Sequence, residues 1–189
     1  MSMNEGQAWY YVVHYTMTQL FMKEGLKIWG NKGKQAVSNE LLQLHTQDTF
    51  RPINSKTLSK TEYEKVLESH LFLKQKRDQS IKGRMVAGGN KQRGPIDKTD
   101  ATSPTAALES VLLTSTIDAK EGRDVAIIDI PNAFVTTRIE KKDIVIVRLR
   151  GQLAELMVAN APEIYKKYVS VNRKGELVLY VDALNALLA

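Results

Sequence analysis

One carboxylate, Asp129, stands at the end of an apolar run within the segment Asp124–Phe134. The run Val125–Ile128 precedes it and Pro131 follows two residues later, a pattern typical of a buried strand that ends at an acid. An ionised carboxylate in an apolar environment needs a cation or several hydrogen-bond donors. Two interpretations stay open: Asp129 binds a metal ion, or it caps the following turn through backbone N–H groups.

Two cations, Lys82 and Arg84, lie in a Gly-rich basic segment, residues 82–98. The segment predicts a short strand, Arg84–Ala87, followed by a turn. Alternate side chains of a strand share one face, so we expect Lys82 and Arg84 to point the same way and to be able to hold a triphosphate. The pair Gly88-Gly89 matches neither a P-loop nor a dinucleotide-binding fingerprint.

The formal net charge of +6 is concentrated in one part of the chain. Residues 51–100 contain 12 Lys and Arg against 6 Asp and Glu, whereas residues 1–50, 101–150 and 151–189 each balance to zero. A local basic excess indicates either a polyanionic partner, such as nucleic acid or nucleotide phosphate, or a solvated face with no partner.

Composition excludes several classes of site. The chain has no cysteine, so disulfides, thiolate metal sites and a cysteine nucleophile are ruled out. Its three histidines, His14, His45 and His70, are far apart in sequence, which argues against zinc. We expect no membrane partner and an intracellular location, because no run of 18 apolar residues and no signal-peptide pattern is seen.

The N-terminal part of the sequence is predicted to be helical. Apolar residues at three- and four-residue steps predict a helix over Gln7–Lys27 that ends at Gly30 and Gly33. A capping box at Ser59–Glu62 predicts a second helix that continues to about Arg77.

The C-terminal part alternates helices and strands. Ser103-Pro104 predicts the start of a helix that Gly122 ends, followed by the strand that leads to Asp129. Further strands are predicted over Asp143–Leu149 and Glu176–Val181, with helical segments between them. The predicted fold class is therefore α+β, with helices packed on a mostly antiparallel sheet.

Four motifs in this order and spacing resemble the reverse transcriptase domain of copia-type retrotransposon polyproteins. They are Lys82-Gly-Arg-Met-Val-Ala, Thr102-Ser-Pro-Thr, Glu121-Gly-Arg-Asp and Asp129-Ile-Pro-Asn-Ala-Phe. The last motif is similar to the common family form Asp-Val-Lys-x-Ala-Phe. The resemblance extends over about residues 80–180 and divides the chain into a helical N-terminal segment, 1–78, and a truncated reverse transcriptase-like domain, 79–189.

The resemblance implies a partial right-hand polymerase, with fingers and an incomplete palm. Such an enzyme extends a primer on an RNA or DNA template with deoxynucleoside triphosphates and uses two Mg²⁺ (or Mn²⁺) ions. By resemblance, Asp129 is the first catalytic, metal-binding carboxylate, and Ile130 offers its backbone carbonyl to the same ion. Lys82 and Arg84 match the fingers residues that hold the triphosphate, and Phe134 matches the aromatic residue beside the sugar.

The sequence departs from the family at the second catalytic motif, an aromatic residue followed by two adjacent aspartates. The sequence contains no adjacent aspartates, and Tyr180-Val-Asp182 has one where two are required. A single carboxylate cannot balance two divalent ions. We therefore expect a fragment of an RNA-directed DNA polymerase that is inactive by itself.

Two alternatives to a polymerase fragment remain. One is a non-catalytic nucleic-acid-binding module that uses the basic segment 74–98. The other is a decayed reading frame whose incomplete sheet folds poorly.

Overall fold

The computed structural model of the protein describes residues 19–89, 106–128, 133–139 and 144–187, apart from the side chains of residues 133 and 134. The helices are α1 (Met22–Thr46), α2 (Lys60–Lys65), α3 (Leu108–Glu121), α4 (Ala133–Thr136), α5 (Gln152–Asn160) and α6 (Pro162–Tyr165). The strands are β1 (Leu20–Phe21), β2 (Phe50–Ile53), β3 (Leu67–Gln75), β4 (Ile81–Ala87), β5 (Ile146–Arg150), β6 (Ser170–Val171) and β7 (Leu177–Ala183). Short 3₁₀ turns occupy Ser55–Thr57 and Lys166–Tyr168.

The seven strands form one sheet with the order β1-β3-β5-β7-β2, and β4 and β6 add to β3 and β7. The pairing of β3 with β5 is parallel, and the other strand pairs are antiparallel. The predicted α+β class with a mostly antiparallel sheet and packed helices is confirmed.

The main core lies between α1, α5 and one face of the sheet. Val37 and Leu41 of α1 are fully buried, as are Leu73 of β3 and Met157 of α5. The close approach of α1 to β4 requires Gly83, because a Cβ atom there would lie 2.9 Å from the carbonyl oxygen of Ala36. The core thus fixes which face of the β3–β4 hairpin points away from α1.

A second, smaller apolar cluster lies on the opposite face of the same sheet. It contains the buried residues Val66, Ile146, Val178 and Tyr180, with Ile53 and Leu58 packed against them. Outward-facing residues of β5 and β7 form its base, because side chains on these strands alternate between the two faces.

The predicted helix from Ser59 to Arg77 is only partly correct. The capping box forms as expected, with Ser59 and Glu62 bonded to each other's backbone N–H groups, but the helix ends at Lys65. Leu67–Gln75 is strand β3. Leu67 and Leu71, four residues apart, fit a two-residue period as well as a helical one, and pairing with β4 along seven residues selects the strand.

The first predicted helix ends later than expected. Residues 1–18 lie outside the described part of the chain, and the described helix α1 runs from Met22 to Thr46. Gly30 kinks it, with φ 48° and ψ −120°, instead of ending it. The glycine permits this conformation without a clash, and burial of the residues that follow keeps the helix going.

The chain divides into two compact units, residues 1–89 with 134–189, and residues 90–133. The predicted boundary between residues 78 and 79 stays a prediction. In the second unit, α3 ends as predicted at Gly122, which adopts the left-handed conformation with φ 64°.

The predicted buried strand before Asp129 is wrong for its described part. Val125, Ile127 and Ile128 are 68%, 98% and 82% exposed, and residues 123–128 form no regular strand. A β-branched run becomes a strand only where a neighbour pairs with its backbone, and the described ranges give this run no such pairing.

None of the described helices is long and apolar enough to cross a membrane.

Candidate nucleotide and nucleic-acid interface

The hairpin of β3 and β4 has one face buried against α1 and one face that carries its lysine and arginine side chains. Lys74 lies opposite Lys82, and Phe72 lies opposite Arg84, in an antiparallel register. All four point away from α1, because the intervening residues, such as Leu73, are buried against that helix. The prediction that Lys82 and Arg84 share one face of a strand is confirmed.

These side chains line a cavity of about 270 Å³, which we call the basic cleft. Its lining residues are Gln19, Phe72, Lys74, Lys76, Lys82 and Arg84. Among the described residues that line the cleft, four are cations and none is an acid. The cleft therefore attracts anions, and strongly so at low salt.

The placement of Lys74 opposite Lys82 is unfavourable for the isolated hairpin. Directly opposed like charges destabilise an antiparallel pair by an amount on the order of 0.2–1 kcal/mol. An anion bound between the two lysines would remove this repulsion. Binding would then restore the small amount of stability that the repulsion costs the hairpin.

The turn between β3 and β4 is ordered by hydrogen bonds, and it positions Lys76 at one end of the basic cleft. Lys76 and Ser80 close the turn with a backbone hydrogen bond of 2.8 Å, and Gln79 takes a left-handed φ of 64°. Asp78, the acid in this turn, accepts hydrogen bonds from the backbone N–H and the hydroxyl of Ser80, which lower the pKa of its carboxyl.

An aromatic surface adjoins the cations. Phe21 of β1 lies opposite Phe72, with 4.7 Å between ring centroids, and its ring is 6.1 Å from that of His70. Phe21 is 55% exposed. Exposed rings beside cations are the features with which proteins bind single-stranded nucleic acids, through base stacking and phosphate contacts.

A partly buried acid, Glu40, stands behind the cleft on α1. Its Oε1 accepts a hydrogen bond of 3.0 Å from the backbone N–H of Met85, on the edge of β4 away from β3. Burial raises the pKa of the Glu40 carboxyl, and the Met85 hydrogen bond and the charges of Lys82 and Arg84 oppose that rise. Glu40 thus ties α1 to the strand that carries both cations.

The residues predicted to bind metal fall outside the described part of the chain. These are Asp129 and Ile130. The backbone of Phe134 belongs to α4, and its side chain is not described. Within the described ranges, no three His, Asp or Glu residues form a group that could hold a metal ion. The metal site stays a prediction.

Asp182, the single acid of the Tyr180-Val-Asp182 segment, forms a salt bridge with Arg51. It is 5% exposed in β7 and lies opposite Arg51 of β2. Its Oδ2 accepts a hydrogen bond of 2.6 Å from the Arg51 guanidinium. The pair satisfies a buried carboxylate between β7 and the edge strand β2.

Sequence reasoning missed Phe72, and it named Lys74 and Lys76 only as part of the basic segment 74–98, without placing them beside Lys82 and Arg84. The cause is the assignment of this segment to a helix, on which these residues would not share a face with Lys82. The usable signal was a two-residue period in which Leu67, Leu71 and Leu73 take odd positions and the charged residues Glu68, Lys74 and Lys76 take even positions.

Comparisons with protein families, with curated proteins and with solved structures each gave no match for this chain.

Glu40 gives a pH-dependent prediction for stability. A carboxyl whose pKa is raised by folding binds more protons in the native state than in the unfolded state, so its contribution to stability rises as pH falls through that pKa. Measured by urea unfolding, the stability of the wild type relative to Glu40→Gln should increase as the pH is lowered from neutral towards the ordinary glutamate value of 4.5.

The matched control is Glu155→Gln, which removes one exposed glutamate from α5. A wild-type advantage over Glu40→Gln that shrinks as the pH is lowered would contradict the assignment.

Proposed function

We propose that this chain is a fragment of an RNA-directed DNA polymerase of the copia-type retrotransposon class, in which β3 and β4 belong to the fingers. The observation that carries the proposal is the basic cleft. Lys82 and Arg84, which match the family's triphosphate-binding residues, lie side by side there with Lys74 and Lys76. The sequence motifs support the same assignment.

The chemistry of the cleft suits the phosphates of a deoxynucleoside triphosphate. Arg84 offers a planar set of donors that can bond two phosphate oxygens at once, and the lysines supply mobile point charges. Binding a polyanion relieves the repulsion between Lys74 and Lys82. The template-primer duplex, of RNA or DNA, would approach the same positive face.

The proposed metal-dependent chemistry rests on the resemblance alone. Asp129 and the carbonyl of Ile130 would hold one Mg²⁺ or Mn²⁺ ion, and Phe134 would contact the sugar. Transfer of a nucleotide by two metal ions needs several carboxylates that clamp both ions. The 189 residues lack adjacent aspartates, so we propose that they bind substrate without extending a primer.

A second candidate is a nucleic-acid-binding module without catalysis. The exposed ring of Phe21, which packs on Phe72, favours it, because stacking of a base on an exposed ring beside cations requires no metal ion.

Nucleotide binding tests the proposed role of the cleft. We expect Lys82→Ala/Arg84→Ala to weaken binding of a fluorescent deoxynucleoside triphosphate at least about a hundredfold, because it removes two charge-assisted contacts of about 1.5–3 kcal/mol each. Lys32→Ala/Lys34→Ala removes the same charge from exposed positions of α1 and serves as the control. Equal affinity of the two double variants would exclude the cleft as the triphosphate site.

Metal binding distinguishes the two candidates. If the polymerase assignment is right, Asp129→Ala should weaken the binding of Mn²⁺, measured by its electron paramagnetic resonance signal, since the substitution removes the proposed ligand. Asp124→Ala is the control within the same segment. Identical Mn²⁺ affinity in the wild type and in Asp129→Ala would favour the binding module.

Primer extension tests the expected lack of catalysis. With an RNA template, a DNA primer, Mg²⁺ and all four deoxynucleotides, the 189-residue chain should incorporate no nucleotide, because one carboxylate cannot hold two ions. Incorporation that Asp129→Asn abolishes would show instead that these residues hold a complete active site.

A further inference from the structure

A second cleft of about 650 Å³ lies on the sheet face that points away from α1, in the same compact unit as the basic cleft. Tyr63, Tyr180, Arg150, Ser170, Arg173 and Lys174 line it. Of the sequence motifs discussed above, the incomplete motif Tyr180-Val-Asp182 is the one that reaches this region, and the proposed triphosphate site does not use it. We call it the tyrosine cleft.

Strands β5 and β7 form the floor of the tyrosine cleft. Arg148 lies opposite Tyr180, and Arg150 lies opposite Val178, so these four side chains share the outward face. The other strand residues, such as Leu149 and Leu179, point into the main core and are fully buried. The same alternation that builds the core therefore sets two arginines beside a tyrosine.

The turn between β6 and β7 supplies two more cations. Asn172 Oδ1 accepts hydrogen bonds from the backbone N–H groups of Lys174, at 2.9 Å, and Glu176, at 3.0 Å. Gly175 completes the turn with φ 79°, a conformation that glycine adopts without strain. Arg173 and Lys174 are exposed at the tip of an ordered turn.

The charges of the tyrosine cleft do not cancel. Glu68 is the acid on the floor, and Arg148 and Arg150 share its carboxylate, with a distance of 3.2 Å between Arg150 Nε and Glu68 Oε2. Glu176, at the turn, accepts a hydrogen bond from the Asn172 amide. Among the described residues that line the cleft, three are cations, Arg150, Arg173 and Lys174, and none is an acid, so an excess of positive charge remains.

Tyr63 gives the cleft an accessible ring. It is 49% exposed, and its ring centroid is 6.0 Å from that of the buried Tyr180. The Tyr180 hydroxyl donates a hydrogen bond of 3.2 Å to the Tyr63 oxygen, and the capping box at Ser59 and Glu62 fixes the start of helix α2, which carries Tyr63. The ring is thus held at the edge of a positive surface.

We propose that the tyrosine cleft binds single-stranded nucleic acid, with Arg173 and Lys174 on the phosphodiester backbone and a base stacked on Tyr63. A phosphodiester chain with bases fits the combination of cations and an exposed ring, whereas an acidic peptide would use the cations alone. This inference rests on the proposed function in one respect, that the partner is nucleic acid.

The two clefts can serve one strand of nucleic acid. They lie on the same face of one sheet, and β4 is separated from β7 by β3 and β5. Three strand spacings correspond to about 15 Å across the sheet. An oligonucleotide of several residues reaches both clefts, and a single nucleoside triphosphate occupies the basic cleft alone.

The test is fluorescence anisotropy of a labelled single-stranded oligonucleotide at several salt concentrations. Arg173→Ala/Lys174→Ala should weaken binding about tenfold and reduce the slope of log K against log salt by about 1.4, since each phosphate contact on a single strand contributes about 0.7. Lys32→Ala/Lys34→Ala, with the same loss of charge on α1, should change neither.

Substitutions of Tyr63 test the stacking. Tyr63→Ala should weaken binding about fivefold or more, and Tyr63→Phe, which keeps the ring and loses the hydroxyl, should bind as the wild type does. Thermal unfolding of each variant checks that the fold is retained. Equal loss in Tyr63→Ala and Tyr63→Phe would contradict a stacking role.

The outcomes separate this inference from the proposed function. If Arg173→Ala/Lys174→Ala binds the oligonucleotide like the α1 control while Lys82→Ala/Arg84→Ala loses triphosphate binding, the tyrosine cleft is excluded and the polymerase proposal stands. If the triphosphate does not bind but the tyrosine-cleft variants lose oligonucleotide binding, the polymerase proposal is excluded and the tyrosine cleft stands as a site for nucleic acid. Two results together would overturn the inference: polyglutamate competes as strongly as unlabelled oligonucleotide, and Tyr63→Ala binds the oligonucleotide as the wild type does. The ligand of the cleft would then be an acidic protein.

Discussion

The packing of helix α1 on the β3–β4 hairpin is the interaction on which the described site depends. Leu71, Leu73 and Met85 are buried on the side facing α1, and Gly83 lets the helix come close enough to cover them. Because strand side chains alternate, this burial forces the intervening residues, including Lys82 and Arg84, onto the opposite face. The basic cleft is a consequence of the core.

A comparison of interaction free energies explains why the β3–β4 hairpin is stable although several cations lie together on one of its faces. Burial of a large apolar side chain contributes about 1.5–3 kcal/mol, so residues such as Leu71, Leu73 and Met85 together outweigh the opposed lysines, Lys74 and Lys82, by several-fold. The repulsion is small because the lysines are exposed and screened by water and salt. A surface of this kind can be kept for binding without endangering the fold.

The basic cleft and the tyrosine cleft combine the same elements, cations beside exposed aromatic rings, on one face of one sheet. Helices α1 and α5 cover the other face, and in the described part of the chain both clefts open on the side away from these helices. That arrangement supports nucleic acid as the partner more directly than it supports catalysis. The polymerase proposal joins the basic cleft to the sequence motifs, of which Asp129 lies outside the described residues.

The sequence by itself determined the features that depend on neighbours along the chain. These are the capping box at Ser59, the helix end at Gly122, the strands at β5 and β7, and the shared face of Lys82 and Arg84. Such features are local, since capping, left-handed glycine and alternation act within a few residues.

Only the tertiary structure decided the conformation of segments whose sequence pattern fits both a helix and a strand, or whose strand needs a partner far away in the sequence. Leu67–Gln75 became a strand because β4 supplies its hydrogen bonds, and the apolar residues at Val125–Ile128 stay exposed without such a neighbour. The tyrosine cleft joins Tyr63 to Tyr180, which are 117 residues apart in sequence. Long-range strand pairing, which no local window of sequence contains, set these outcomes.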